Sequence, residues 1–160
     1  MKLRHLIINN FRGIKELDWV VPGDMVCLIG SGDSTKTTIL DAIEYVLSPR
    51  WNLPISDLDF YQSNTQQPIE ITATITELPK KLIQEDKYGL FINFWNFKDG
   101  DHDEEKESDE YSLIICLSVE ASLEPQWFVI SRQNGDKKNI TASDRELLGV
   151  AQIGAYIDRD

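Results

Sequence analysis

The sequence predicts an α/β fold with a β-rich half: a mixed sheet around one helix, plus an antiparallel β layer. Three observations carry this expectation. "DMVCLIG" (24–30) is a compact apolar run of strand length that enters a glycine-containing loop, and a helical pattern follows at once. Strand-like runs stand on both sides of that unit, about 25 residues of them before the loop. Finally, 160 residues with 41% hydrophobic content suit one compact domain with a real core.

Taken in order, "LRHLIINN" and "LDWVV" read as two short strands with "FRGIKE" turning between them. After the loop, "TKTTILDAIEYVL" places Ile39, Leu40, Ile43, Val46 and Leu47 at helical spacing, and Ser48-Pro49 stops the helix. "RWNLPISDLDFYQSNTQQP" is an irregular connection. "IEITATITEL" alternates cleanly and predicts a half-buried strand, and "LPKKLIQEDKYG" predicts a short helix closed by Gly89. "LFINFWNF" is a strand leading into an acidic run. "YSLIICLSVEAS" and "QWFVISRQ" form a strand pair joined by "LEP". Thr141 or Ser143 can cap a last short helix, "ASDRELLG".

The formal net charge is −11, and a free-standing nucleic-acid binder would carry a basic face instead. Much of the excess sits in "KDGDHDEEKESDE" (98–110), expected to be a solvated, mobile insert dispensable for folding. No stretch approaches the roughly 20 continuous apolar residues of a membrane span. The N-terminus lacks the apolar core of a signal peptide, so a cytoplasmic protein is expected. Cys27 and Cys116 lie in apolar runs and read as buried structural thiols. His5 and His102 are far apart and form no ligand cluster, so a metal site made only of protein side chains is not expected.

The loop "IGSGDSTKTT" (29–38) nearly spells the phosphate-binding pattern G-x-x-x-x-G-K-[ST]. Gly30, Lys36 and Thr37 fall in register, and Thr35 stands where the second glycine belongs. Such a loop works by turning successive backbone N–H groups inward around phosphates, with the positive end of the following helix behind them. Ser31, Gly32, Asp33 and Ser34 would form the wrap, with unusual backbone angles supplied by Gly30 and Gly32. Lys36 would add a mobile charge, Thr37 a Mg²⁺ ligand, and Thr38 a further hydroxyl. Asp33 can point its side chain away while its N–H points in. Thr35 is stiffer and bulkier than glycine at a point of close approach, which predicts strain of about 1–3 kcal/mol and a weak but real site.

Other nucleotide-hydrolase motifs are hard to find. "LIICLSVE" has the apolar run of a Walker B segment, but Ser118 stands where the acid belongs. "GAYIDRD" has Asp158 followed by Arg159. "DKYG" matches a GTPase motif by letters, but no base-reading N-K-x-D follows it. Binding without turnover by this chain alone is the expectation.

The segment "LIINNFRGIKELDWVVPGDMVCLIGSGDSTKTTILDAIEYVLSP" resembles the N-terminal lobe of SMC/RecF-type ABC ATPases, and Asp33 resembles the loops of OLD-like AAA proteins. "SPRWNLPISDLDFY" and "IGAYIDRD" are also similar to that group. The resemblance implies a P-loop NTPase half head spanning 1–160 and incomplete as it stands, with ATP and Mg²⁺ as ligands. It implies that Arg12, in the "FRG" turn, reaches the phosphates. It further implies ATP-driven engagement with a remaining head half or second subunit, a homodimer in the longer protein, serving DNA maintenance or phage defence. DNA would be met through that longer protein. In this sequence Gly32 replaces the family Asn and Thr35 the family Gly. The alternative is an interaction module that kept the head fold and lost nucleotide.

Overall fold

The computed structural model describes residues 1–32, 35–84, 87–96, 101–102 and 110–149. Strands β1 (Lys2–Phe11) and β2 (Ile14–Val20) form a hairpin in register from Phe11 opposite Ile14 to His5 opposite Val20. The two-residue turn, Arg12-Gly13, is tighter than the sequence predicts. The first helix, α1, runs Lys36–Leu47 and ends at Ser48 as expected. Strand β3 (Ile69–Thr76) returns to pair with β1. After α2, the single turn Lys80–Ile83, come β4 (Ile92–Asn96), the two-residue β5 (Asp101–His102) and β6 (Glu110–Val119). Then β7 (Pro125–Ile130), β8 (Lys137–Asn139) and α3 (Ala142–Glu146) complete the described chain.

All the described strands join one sheet, in the order β2-β1-β3-β6-β4-β5, with β7 and β8 branching from β6. Strand β6 pairs with β3 along Ser112–Val119 on one edge. Its other edge is divided: β4 takes residues 110–113, and β7, with β8 beyond it, takes 114–119. Every ladder among the described residues is antiparallel. The antiparallel layer is therefore present, and α1 packs on it through β1, β3 and β6.

Alternation sets the core. Leu6 and Ile8 of β1, Ile71, Ala73 and Ile75 of β3, and Leu113, Ile115 and Leu117 of β6 are fully buried on one face. Ala42, Val46 and Leu47 of α1 cover them, the period of the helix meeting the period of the strands. Strand β3 is more than half-buried: from Ala73 onward both of its faces are covered, with Thr74 and Thr76 inside.

The C-terminal end of α1 is tied to the far end of the chain. The Tyr45 carbonyl accepts from Trp127 Nε1 at 3.1 Å, and the Ser48 carbonyl accepts from Arg145 Nε at 2.6 Å. The buried Arg145 guanidinium lies 3.9 Å over the Trp127 ring and also donates to the carbonyls of Ile140 and Arg50. Thr141, not Ser143, caps α3: its hydroxyl accepts from Asp144 N–H at 3.2 Å. Asp144 in turn accepts from Tyr88 at 2.9 Å and from Lys87.

Several expectations fail. The apolar run 24–30 forms neither strand nor helix. Met25 and Ile29 are 95% and 90% exposed. A strand needs a neighbour for its N–H and C=O groups, and none of the described residues supplies one here. Cys27 falls in this run and is exposed, not buried; Cys116, in β6, is buried, and burial pushes its thiol up. Gly89 closes no helix, because α2 ends at Ile83 and Gly89 opens a separate 3-10 turn. The acidic run 98–110 falls mostly outside the described residues, as does the end "VAQIGAYIDRD" (150–160). At the margin of that run Glu110 belongs to the fold: it opens β6 and accepts from Arg4 at 3.2 Å.

Candidate phosphate-loop site

Helix α1 begins in the loop, and its first residues are Lys36, Thr37 and Thr38. With Gly32 and Thr35 they line an open cavity of about 290 Å³, whose remaining wall is Gly13 of the β1–β2 turn. No acid lines it among the described residues, and α1 carries none in its first turn. The positive end of the helix therefore faces the cavity without a neutralising carboxylate in its own first turn. Asp33 and Ser34 lie outside the described residues.

Lys36 folds back over the loop. Its Nζ donates to the carbonyls of Gly30 at 2.8 Å and Ser31 at 2.5 Å. The ammonium thereby braces the loop from inside and stands at the cavity wall.

Thr35 holds the position read as a missing glycine. Its φ is 62° and ψ 8°, in the left-handed region, and its carbonyl accepts from Ile39 N–H at 3.0 Å. Seven described non-glycine residues have positive φ, and Thr35 is the β-branched one among them. Left-handed backbone crowds a Cβ against the carbonyl that follows, by about 1–2 kcal/mol for a residue other than glycine. By contrast, Gly32 lies outside that region, and a Cβ there would meet nothing within 4 Å. The unusual backbone angle expected of Gly32 is thus carried by Thr35.

Arg12 sits beside the cavity, and its side chain turns along α1 instead of lining the wall. Nη1 donates to Asp41, Nε donates to Asp59 at 2.7 Å, and the backbone N–H donates to the Asp59 carbonyl at 2.6 Å. Its guanidinium carbon lies 4.8 Å over the Phe11 ring, and Nη2 is 3.5 Å from the Tyr45 hydroxyl. Burial alone would lower the arginine and raise the aspartate. The paired hydrogen bonds outweigh it, so Arg12 is held above its usual range and Asp59 below. Burial lifts the Tyr45 phenol, with Arg12 pulling the other way. One arginine thus ties the hairpin turn to α1 and to the 3-10 turn Asp57–Asp59.

The structure therefore gathers Gly32, Thr35, Lys36, Thr37 and Thr38 at one cavity, with the carbonyls of Gly30 and Ser31 beneath Lys36. Arg12 stands next to this group, held by two carboxylates. Sequence reasoning missed Gly13, Asp41 and Asp59. Gly13 was adjacent to a residue already singled out; the acids lie 29 and 47 residues from Arg12, beyond any local pattern.

The described chain is a strand-rich antiparallel layer that carries a loop, a Lys-Thr-Thr helix start and a facing hairpin turn. A solved chain from work on the structural biochemistry of ATP-driven dimerization and DNA stimulated activation of SMC ATPases is similar in fold. Its TM-score is 0.57 at 15% identity, covering 92% of this chain and 78% of that one. No curated protein matches the sequence. The pattern of the AAA ATPase domain family matches residues 1–147, and the chain belongs to that family. It is a nucleotide-binding ATPase lobe. Among the described residues no helix is long and apolar enough to cross a membrane.

Proposed function

We propose that this lobe binds ATP with Mg²⁺ at the cavity between α1 and the β1–β2 turn, and does not hydrolyse it alone. The observation that carries the reading is the cavity itself: Lys36, Thr37 and Thr38 at a helix N-terminus with no acid in the described lining. These residues fit a polyphosphate. Lys36 would leave the Gly30 and Ser31 carbonyls to meet it, first-turn N–H groups would donate, and Thr37 would hold the cation, which supplies charge neutralisation when bound. Arg12 would hold the turn in place, and would reach phosphate only by leaving Asp41 or Asp59. No acid that could activate water lines the cavity among the described residues. The Ser118 position of β6 is an ordinary ladder residue opposite Glu70 and Gln126.

In a longer, cytoplasmic protein the remaining head half would pair with the exposed 24–30 run and cover Leu40 of α1, itself 46% exposed. Engagement with a second head would then depend on ATP, as the SMC likeness suggests, in the service of DNA maintenance or phage defence. The second reading, an interaction module that has lost nucleotide, is favoured by Lys36 being satisfied by its own loop and by strain at Thr35. Titration of a fluorescent ATP analogue with Mg²⁺ decides between them. Saturable binding lost in Lys36→Ala upholds the nucleotide site. Absence of binding in wild type and in Thr35→Gly leaves the interaction module. Steady phosphate release that disappears in Lys36→Ala would overturn binding without turnover.

A further inference from the structure

We propose that Gly13 is a positioning residue of the nucleotide pocket: its missing side chain lets the β1–β2 turn close against Thr35 as the second wall of the phosphate loop. This rests on the nucleotide reading above and adds a residue and a contact to it.

The geometry gives Gly13 a reason that the backbone does not. Its φ lies outside the left-handed region; the positive angle in the turn belongs to Arg12, at 50°. The Gly13 φ does not by itself call for glycine. What excludes a side chain is the neighbour: a Cβ on Gly13 would stand 3.0 Å from Thr35 Cγ2. Carbon atoms in favourable contact stand about 3.5–4.0 Å apart.

Neither side of this contact can readily retreat. Thr35 is β-branched, with a stiff χ1, and its carbonyl is bonded to Ile39 N–H at 3.0 Å in the first turn of α1. The hairpin turn is fastened by the Arg12 N–H to the Asp59 carbonyl at 2.6 Å, and by the Arg12 side chain to Asp41 and Asp59. A methyl at position 13 therefore pushes apart two anchored elements at a wall that also carries Lys36. The glycine absent from the loop at position 35 is matched by a glycine across the gap, at position 13.

The test is a double-mutant cycle in the full chain, read by affinity for a fluorescent ATP analogue with Mg²⁺ and, in parallel, by Tm. The variants are Gly13→Ala, Thr35→Ser and the pair. Thr35→Ser removes the methyl and keeps both the hydroxyl and the left-handed backbone. Gly13→Ala should weaken binding about tenfold beside Thr35, as overpacking does. Beside Thr35→Ser it should weaken it by less than about twofold, the limit of ordinary additivity. Rescue by serine is a result that a merely structural role for Gly13 would not produce. An equal loss in both backgrounds, or no loss beside Thr35, overturns the proposal. If no variant binds nucleotide, the functional reading fails and with it the positioning role, whereas a non-additive Tm cycle still upholds the contact. An additive cycle with normal binding removes the contact and leaves the nucleotide reading intact.

Discussion

The two ends of α1 are built on opposite principles. At its C-terminal end Tyr45, Val46 and Leu47 are buried, and the last carbonyls accept from Trp127 and from Arg145, two residues some 80 to 97 positions away. A cation at this end also suits the helix dipole. At the N-terminal end the cap is a left-handed threonine with no side-chain cap hydrogen bond; Thr37 is exposed, and Lys36 leans on its own loop. One helix thus has a locked end that fixes it on the sheet and a strained, open end that faces the cavity. The difference teaches where substitutions should separate: changes at the locked end should move stability and spare the cavity, and changes at the open end should do the reverse.

The largest effect is expected from Arg145→Met, which leaves the carbonyls of Ser48, Ile140 and Arg50 without that donor. Two of these, Ser48 and Ile140, are buried, and a buried acceptor left unpaired costs about 1–3 kcal/mol, so a loss of roughly 3 kcal/mol and a Tm lower by about 10 °C should follow. Urea unfolding measures it. An ATP-analogue affinity that falls as far as stability would break the division between the two ends. Next is Lys36→Ala, expected to weaken binding about ten- to hundredfold, the worth of a charge-assisted contact, with Tm unchanged.

Acid should act on the anchors around the helix. Burial by itself would raise Asp59 and Asp144. Hydrogen bonds from Arg12 and Ser56 to the first, and from Lys87, Thr141 and Tyr88 to the second, hold both below the ordinary 3.8. The unfolded chain therefore takes up protons first as pH falls. The contribution of both residues is complete above the ordinary aspartate value and is lost as pH drops through 3.8 into their lower folded range. Urea midpoints at stepped pH should be level at neutral pH and decline in that acid window. Asp144→Asn and Asp59→Asn should each flatten the decline, and an unchanged acid slope in both would remove these anchors from the account.

The smallest effect is Thr35→Gly. Relief of left-handed strain, about 1–2 kcal/mol, is partly offset by the 0.5–1 kcal/mol that glycine flexibility removes. Affinity for Mg-ATP should rise about fivefold, since 1.4 kcal/mol is about tenfold. An unchanged or weaker affinity would show that the loop is tuned to threonine, and the open end would no longer count as strained.

What could be read from the sequence follows from the range of the forces involved. Strand-length apolar runs found β1, β6 and β7, clean alternation found β3, and the spacing of Ile39, Leu40, Ile43, Val46 and Leu47 found α1, because each pattern is local to its element. The run 24–30 has the same local pattern, yet a strand also needs a ladder, and that condition is not local. Cys27 was misread for the same reason. Strand β8, "KKN", gave no signal because its side chains are exposed and only its backbone ladder to β7 defines it. At the cavity, loop spacing located Lys36, Thr37 and Thr38. The carboxylates that claim Arg12 and the approach of Gly13 to Thr35 are products of folding.

Strand β6 has a further consequence, in the order of opening. It is bonded along both edges, with β3 on one and β4 and β7 end to end on the other, and the side chains from Leu113 to Leu117 are all buried. Releasing it would detach three strands at once, so its amides should exchange with solvent deuterium only when the whole chain unfolds. The described part of the loop, residues 29–32, precedes the helix and belongs to no ladder. Its amides should exchange through local opening, many times faster, so the chain can reshape the loop around a ligand without loosening the seam that holds the sheet together.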